Sequence, residues 1–246
     1  MSETICMLVH GGPKVGKSWL GQTTPEPRLV LDCEGGSRTP WRMVPGTTGV
    51  RQKVVRWNPR TEDPPTVGDW QVCHVSVQDF DTFAAAYQWL ASGRHPFKSL
   101  VIDSLTELQK RCKDTLAGAG EVMDERKWGI LLTQMEHIVR HMRDLSFHPT
   151  RPLDAVVLIA LTKLADGVQK PEIQGALGRS LPGYVDLEGY LFVDLDEEQN
   201  PYRRLLITPR PGFEAGDRTH SLTMYYGPAI NNPDVEEMLR VYNEGE

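Results

Sequence analysis

Gly11-Gly12-Pro13-Lys14-Val15-Gly16-Lys17-Ser18 decides how the rest of this chain is read. The eight residues satisfy every fixed position of G-x-x-x-x-G-K-[ST]. Glycines at these positions let the backbone bend closely enough for successive N–H groups to face one anion. The lysine places an ammonium against the β and γ phosphates of a nucleoside triphosphate, and the final hydroxyl can ligate Mg²⁺. Gly11, Gly12, Pro13, Lys14, Val15 and Gly16 therefore read as a phosphate cradle, with Lys17 as its cation. Ser18 reads as a metal ligand, and Trp19 closes the set. A helix is expected from about Ser18, adding the positive end of its dipole. Thr4–His10 reads as the buried strand that feeds the loop. The implied ligands are ATP and Mg²⁺.

Outward from this loop, apolar runs alternate with helical patterns, which predicts a mainly parallel α/β sheet. Strands are expected at Arg28–Asp32, Lys53–Trp57, Gln71–Val77, Ser99–Asp103 and Ala155–Leu161. Helical spacing covers Asp79–Ser92, with Asp79 as its N-cap, then Leu105–Ala117 and about Asp124–Leu145. Gly189–Leu195 and Arg203–Pro209 read as a C-terminal β-hairpin, and Asp234–Tyr242 as a short amphipathic helix. With no internal repeat and no long linker, residues 1–246 read as one domain.

Composition narrows the class of partner. Hydrophobic content of 39% and charged content of 24% are those of an ordinary soluble globular protein. No apolar run is long enough for a membrane span, and no secretory signal opens the chain. Cys6, Cys33, Cys73 and Cys112 lie far apart, without zinc or redox spacing, so reduced thiols in a cytoplasmic setting are expected. A net charge of −6 excludes an indiscriminate polycation, so any nucleic-acid contact has to be local and salt-sensitive.

The strand ends carry the chemistry, because ligands of open parallel sheets bind beyond the carboxyl ends of the strands. Ser99–Asp103 ends in Val101-Ile102-Asp103-Ser104. A carboxylate there, beside the strand of the phosphate loop, can hold Mg²⁺; the alternative is that Asp103 or Ser104 caps the next helix. Arg28–Asp32 runs on into Cys33-Glu34-Gly35-Gly36, where Glu34 could polarise a water for attack on the γ phosphate or stand as a solvated turn residue. Thr162, leaving the strand that ends at Leu161, could sense the γ phosphate, although threonine is common at strand ends.

These four features together resemble the RecA/RadA recombinase core: the phosphate loop, Asp32-Cys33-Glu34, Val101-Ile102-Asp103-Ser104 and the polar exit at Thr162. The loop's start at residue 11 makes the chain similar to core-only, phage-encoded RecA-like ATPases that act as single-strand annealing proteins. The stretches Leu177–Leu191 and Gly212–Thr219 are similar to segments of that group. The resemblance implies a P-loop NTPase fold of RecA-core type, with Lys17 and Ser18 on phosphate and Mg²⁺, Asp103 on the metal and Glu34 on the water. It implies that Arg218 reaches the γ phosphate of a neighbouring subunit in a ring or filament. ATP hydrolysis would be coupled to single-stranded DNA in recombination, repair or annealing, in the cytoplasm of a bacterial host and alongside a single-strand-binding protein.

By the same resemblance, DNA would meet two loops, Gly118–Trp128 and Lys163–Tyr184. Lys163, Lys170 and Arg179 supply phosphate contacts, and Tyr184 or Trp128 could stack on bases or pack in the core. His137 and His141 are four apart but lack the glutamate of a zinc motif, so they read as part of a solvated basic face. Arg203, Arg204 and Arg210 either reach an adjacent protomer's phosphates or protect a sheet edge. Three other readings remain: a nucleotide-gated interaction module with little hydrolysis, a P-loop kinase acting on a small metabolite, and an annealer that needs no ATP.

Overall fold

A computed structural model describes residues 4–35, 50–118 and 122–244. Its central sheet contains β1 (Ile5–Gly11), β2 (Arg28–Asp32), β3 (Val54–Arg56), β4 (Val72–Ser76), β5 (Ser99–Asp103) and β6 (Ala155–Ala165). It continues with β7 (Val168–Pro171), β8 (Leu187–Leu195), β9 (Pro201–Leu206), β10 (Gly216–Asp217) and β11 (Ala229–Asn231). The helices are α1 (Lys17–Gly21), α2 (Phe80–Ala91), α3 (Leu105–Ala117), α4 (Glu125–Asp144), α5 (Leu177–Ser180), α6 (Ser221–Tyr226) and α7 (Val235–Glu244).

Side chains alternate across each strand, and this alternation builds two cores. From β1, Cys6 and Leu8 pack with Phe83, Leu108 and Met135 of α2, α3 and α4. Ile5, Met7 and Val9 face the other way, onto Leu20 of α1, Leu222 of α6 and Met238 of α7. The first six residues of β6 are buried throughout, as a strand covered on both faces requires. Each large aliphatic side chain so buried contributes about 1.5–3 kcal/mol before the entropy of ordering is set against it.

The strand order is β11-β9-β8-β1-β6-β5-β2-β4-β3, with β7 paired to β6 and β10 to β8. From β3 across to β8 every neighbouring pair is parallel. β9 and β11 extend that edge antiparallel. The expected hairpin at the C-terminal side is thus β8–β9, joined through β8 to the strand of the phosphate loop.

Two expectations change. β5 is not beside β1, because β6 lies between them. The stretch 163–184 is also not one loop: β6 runs on to Ala165, turns and returns as β7, with Lys163 opposite Lys170. Asp166 (φ 54) and Gly167 (φ 76) take the left-handed conformations that a tight two-residue hairpin turn needs. Among the described residues, no helix is long and apolar enough to cross a membrane. The four cysteines are buried free thiols.

Candidate nucleotide-binding site

Strand register brings the expected residues to one edge. Gly11 stands opposite Leu161, Asp103 opposite Ile159, and Asp32 opposite Asp103. A cleft of about 340 Å³ opens there, lined by Pro13, Lys14, Gly16, Lys17, Ser18, Trp19, Glu34, Asp103 and Leu161. Within the loop, Lys14 (φ 63) and Gly16 (φ 105) both adopt left-handed backbone. Such turns point successive peptide N–H groups toward one concavity.

The Lys17 side chain is buried, and its ammonium donates to the carbonyl oxygens of Gly11 at 2.9 Å and Gly12 at 2.7 Å. Burial lowers its pKa, while the nearby Glu34 and Asp103 carboxylates oppose that shift. The helix after the loop is short. Thr23 and Thr24 turn their hydroxyls onto the carbonyls of Leu20 and Gly21 and end α1 after five residues. Its dipole is correspondingly small, and the anion chemistry falls to the loop N–H groups and Lys17.

Ser18 donates from Oγ to Oδ2 of Asp103 at 2.6 Å, although a strand intervenes between β1 and β5. Burial raises the Asp103 carboxyl to about 6; the Ser18 bond and Lys17 oppose that shift, while Glu34 and Asp32 add to it. Carboxylates that destabilise one another's charge gain from a cation between them. The donors, a hydroxyl and carboxylate oxygens, suit Mg²⁺. Among the described residues no group of three or more His, Cys, Asp or Glu side chains is placed to hold a metal ion.

The cap of α3 falls to Ser104 rather than to Asp103. Ser104 Oγ caps α3 by accepting from the Glu107 amide at 3.3 Å, and it also donates to Glu34 Oε1 at 2.7 Å. Arg111 grips the chain next to Glu34. Its Nε and Nη2 donate to the Cys33 carbonyl at 3.1 and 2.9 Å, and its Nη1 donates to the Gln78 carbonyl at 2.7 Å. No motif in the sequence singles out Arg111, yet it lies seven residues after Ser104, two turns along the same face of α3. Gly35 (φ 72) turns the chain after Glu34, its amide donating to Asp32 Oδ1 at 2.9 Å; Gly36 lies outside the described residues.

Other expected residues fall elsewhere. Leu161, not Thr162, lines the cleft. Thr162 Oγ1 bonds the Lys170 carbonyl at 3.1 Å and lies 3.3 Å from His10 Nδ1. Lys163 donates to the Ile173 carbonyl at 2.8 Å, and Lys170 lies 3.8 Å from both Asp166 and Glu214. Of the three expected DNA cations only Arg179 is exposed; Lys163 and Lys170 are half-buried. Tyr184 and Trp128 pack against the core, the Tyr184 hydroxyl donating to Glu136 at 2.6 Å and Lys113 lying over the Trp128 ring. Part of the first DNA loop, 119–121, lies outside the described residues. His141 stacks on Tyr87, its ring centroid 5.5 Å away.

Arg218 is exposed and donates to the Gly183 carbonyl. Its amide bonds Asp186, whose own amide bonds Cys6 near the start of β1. Five strand residues, roughly 16 Å, separate that level from Gly11, so Arg218 is remote from its own phosphate loop. A larger cavity of about 670 Å³ lies near the starts of β5 and β6, among Lys98, Asp154, Asp234, Glu236 and Arg240. Its charges are mixed, and it shares no residue with the loop.

A family model described as an AAA domain matches residues 3–219, most of the chain. No curated protein matches.

Proposed function

The chain belongs to the AAA-domain family, and from that premise we propose a Mg²⁺-dependent ATPase of RecA-core type, coupled to single-stranded DNA. The biological setting is recombination, repair or strand annealing. One observation carries the ATPase reading: Ser18 and Asp103 meet at 2.6 Å in the cleft that also holds Lys17 and Glu34. Ser18 and Asp103 would hold the ion, and bound Mg²⁺ would neutralise charge on the phosphates. Lys17 exchanges its carbonyl partners for phosphate oxygens. Glu34, fixed through Oε1 by Ser104, has a second carboxylate oxygen with which to take a proton from the attacking water.

The DNA reading draws on continuity. β6 passes from Leu161 in the cleft through Thr162 to the hairpin at Asp166-Gly167. Thr162 touches His10, the residue before Gly11, so a change in the loop has a short route to the hairpin. Arg218, exposed and remote from its own loop, suits action on a neighbouring subunit's nucleotide in a ring or filament.

The test is ATPase rate against single-stranded DNA at two salt concentrations, with Lys17→Ala as control. Stimulation that weakens with salt is expected. Turnover indifferent to DNA would refute the coupling, and full turnover in Lys17→Ala would refute the site.

A further inference from the structure

Arg203 projects from β9 onto the phosphate loop of its own chain. A Cβ built on Gly16 would lie 2.1 Å from Arg203 Nε and 2.9 Å from its Cδ, so the side chain lies directly against the loop. Its guanidinium carbon is 5.7 Å from the centre of the Trp19 ring, within cation–π range. Among the described residues Arg203 Nε is buried without a hydrogen-bond partner, and the side chain makes no ion pair. Its neighbour Arg204 also has an unpartnered buried Nε among the described residues, but its Nη1 pairs with Asp194 at 2.7 Å. The backbone of Arg203 is anchored, its carbonyl accepting from the Asn232 amide at 2.7 Å.

A buried guanidinium N–H with no acceptor is costly, and an anion at the loop would remove that cost. The sheet order fixes which part of the ligand is within reach. β9 lies two strands from β1 on one side, whereas β6, β5 and β2 lie on the other, carrying the carboxylates. Lys17, Ser18, Asp103 and Glu34 therefore mark the γ-phosphate side, and Arg203 approaches from the opposite side. Trp19, one residue past Ser18, is turned about 100° around α1 toward Arg203.

We propose that Arg203, braced on Trp19, binds the α-phosphate end of the nucleotide in its own subunit. The inference rests on the nucleotide reading of the cleft and deepens it. Arg203 is then a binding residue whose contact is common to ADP and ATP, rather than a sensor of γ phosphate.

Equilibrium binding of ADP and of a non-hydrolysable ATP analogue to wild type, Arg203→Ala, Arg203→Lys and Lys17→Ala tests this. Loss of a charged hydrogen bond predicts that Arg203→Ala weakens both nucleotides by about tenfold or more, with partial recovery in Arg203→Lys. Thermal melts without nucleotide should show Arg203→Ala no less stable than wild type, because an unsatisfied buried donor is removed. Unchanged affinity in both Arg203 variants overturns the proposal while leaving the nucleotide site intact. Weakening confined to the ATP analogue overturns it in favour of a γ contact. Wild type that binds neither nucleotide overturns the nucleotide reading and the proposal together.

Discussion

Replacing Glu188 by glutamine should stabilise the protein at alkaline pH and leave it nearly unchanged at acid pH. Glu188, on β8, is buried, and its Oε1 has no hydrogen-bond partner among the described residues. His10 of β1 lies 4.0 Å away, but its Nε2 donates to the Glu214 carbonyl at 2.8 Å, and burial pulls the ring down to about 4. Near neutrality that contact is therefore not an ion pair. Lys170 of β7 lies closer to the carboxylates of Glu214 and Asp166, and Thr162 of β6 offers its hydroxyl to the Lys170 carbonyl. Burial, and then the charge of Glu214, lift Glu188 from 4.5 to about 7. A carboxyl whose folded pKa is raised stabilises fully below its unfolded value and loses that contribution as pH rises through the folded one. The window therefore runs from about pH 4.5 to about pH 7. Two to three pH units at about 1.4 kcal/mol each amount to roughly 3 kcal/mol. Glutamine stays neutral and brings an N–H donor toward Glu214, whose Oε2 is also buried without a partner among the described residues. Thermal melts by circular dichroism across that range should show Glu188→Gln gaining about 6–12 °C over wild type at the alkaline end. His10 and His95, both lowered to about 4 by burial, act oppositely, losing their contribution as pH falls below the usual histidine value. They are present in both proteins and largely cancel in the difference. A difference that stays flat with pH, or a variant less stable at alkaline pH, would refute the reasoning.

The cleft and the hairpin give further expected outcomes. Glu34→Gln should bind ATP as wild type does and turn it over at least about tenfold more slowly; equal turnover moves the base elsewhere. Arg111→Ala frees the Cys33 carbonyl, so kcat should fall about tenfold while ADP affinity stays within about twofold. A loss of ADP affinity as large as the loss in kcat would make Arg111 a general stability residue instead. Gly167→Val puts a branched side chain at φ 76, a local strain of about 1–2 kcal/mol. It should reduce DNA-stimulated turnover and spare the basal rate, measured in the same ATPase assay; full stimulation would separate the hairpin from DNA.

Features decided locally are legible in the sequence. β2, β5 and α3 lie where period and capping put them, because Arg28–Asp32 and Ser99–Asp103 are short apolar runs and Ser104 caps only a helix on its C-terminal side. The convergence of the loop, Glu34 and Asp103 is legible too, since parallel strands deliver their carboxyl ends to one edge. Neighbour order is not, because it is set by which crossover packs where, and β6 enters between β1 and β5 from more than fifty residues later in the chain. The β6–β7 hairpin does carry a local signal, but a masked one. Asp166-Gly167 is a strong turn signal, whereas the flanking Lys163 and Lys170 hide the strand pattern from a search for apolar residues. Arg203 is legible as a hairpin cation, but nothing local directs it to the phosphate loop of its own chain. Its meaning depends on β8 pairing with β1 and β9 with β8, two long-range choices that bring a hairpin arginine against Gly16. A glycine that the loop pattern already requires is thus required a second time, by a side chain that no motif includes. For that reason Gly16→Ala should disturb the seating of Arg203 as well as the loop backbone, and the two Arg203 variants separate those effects.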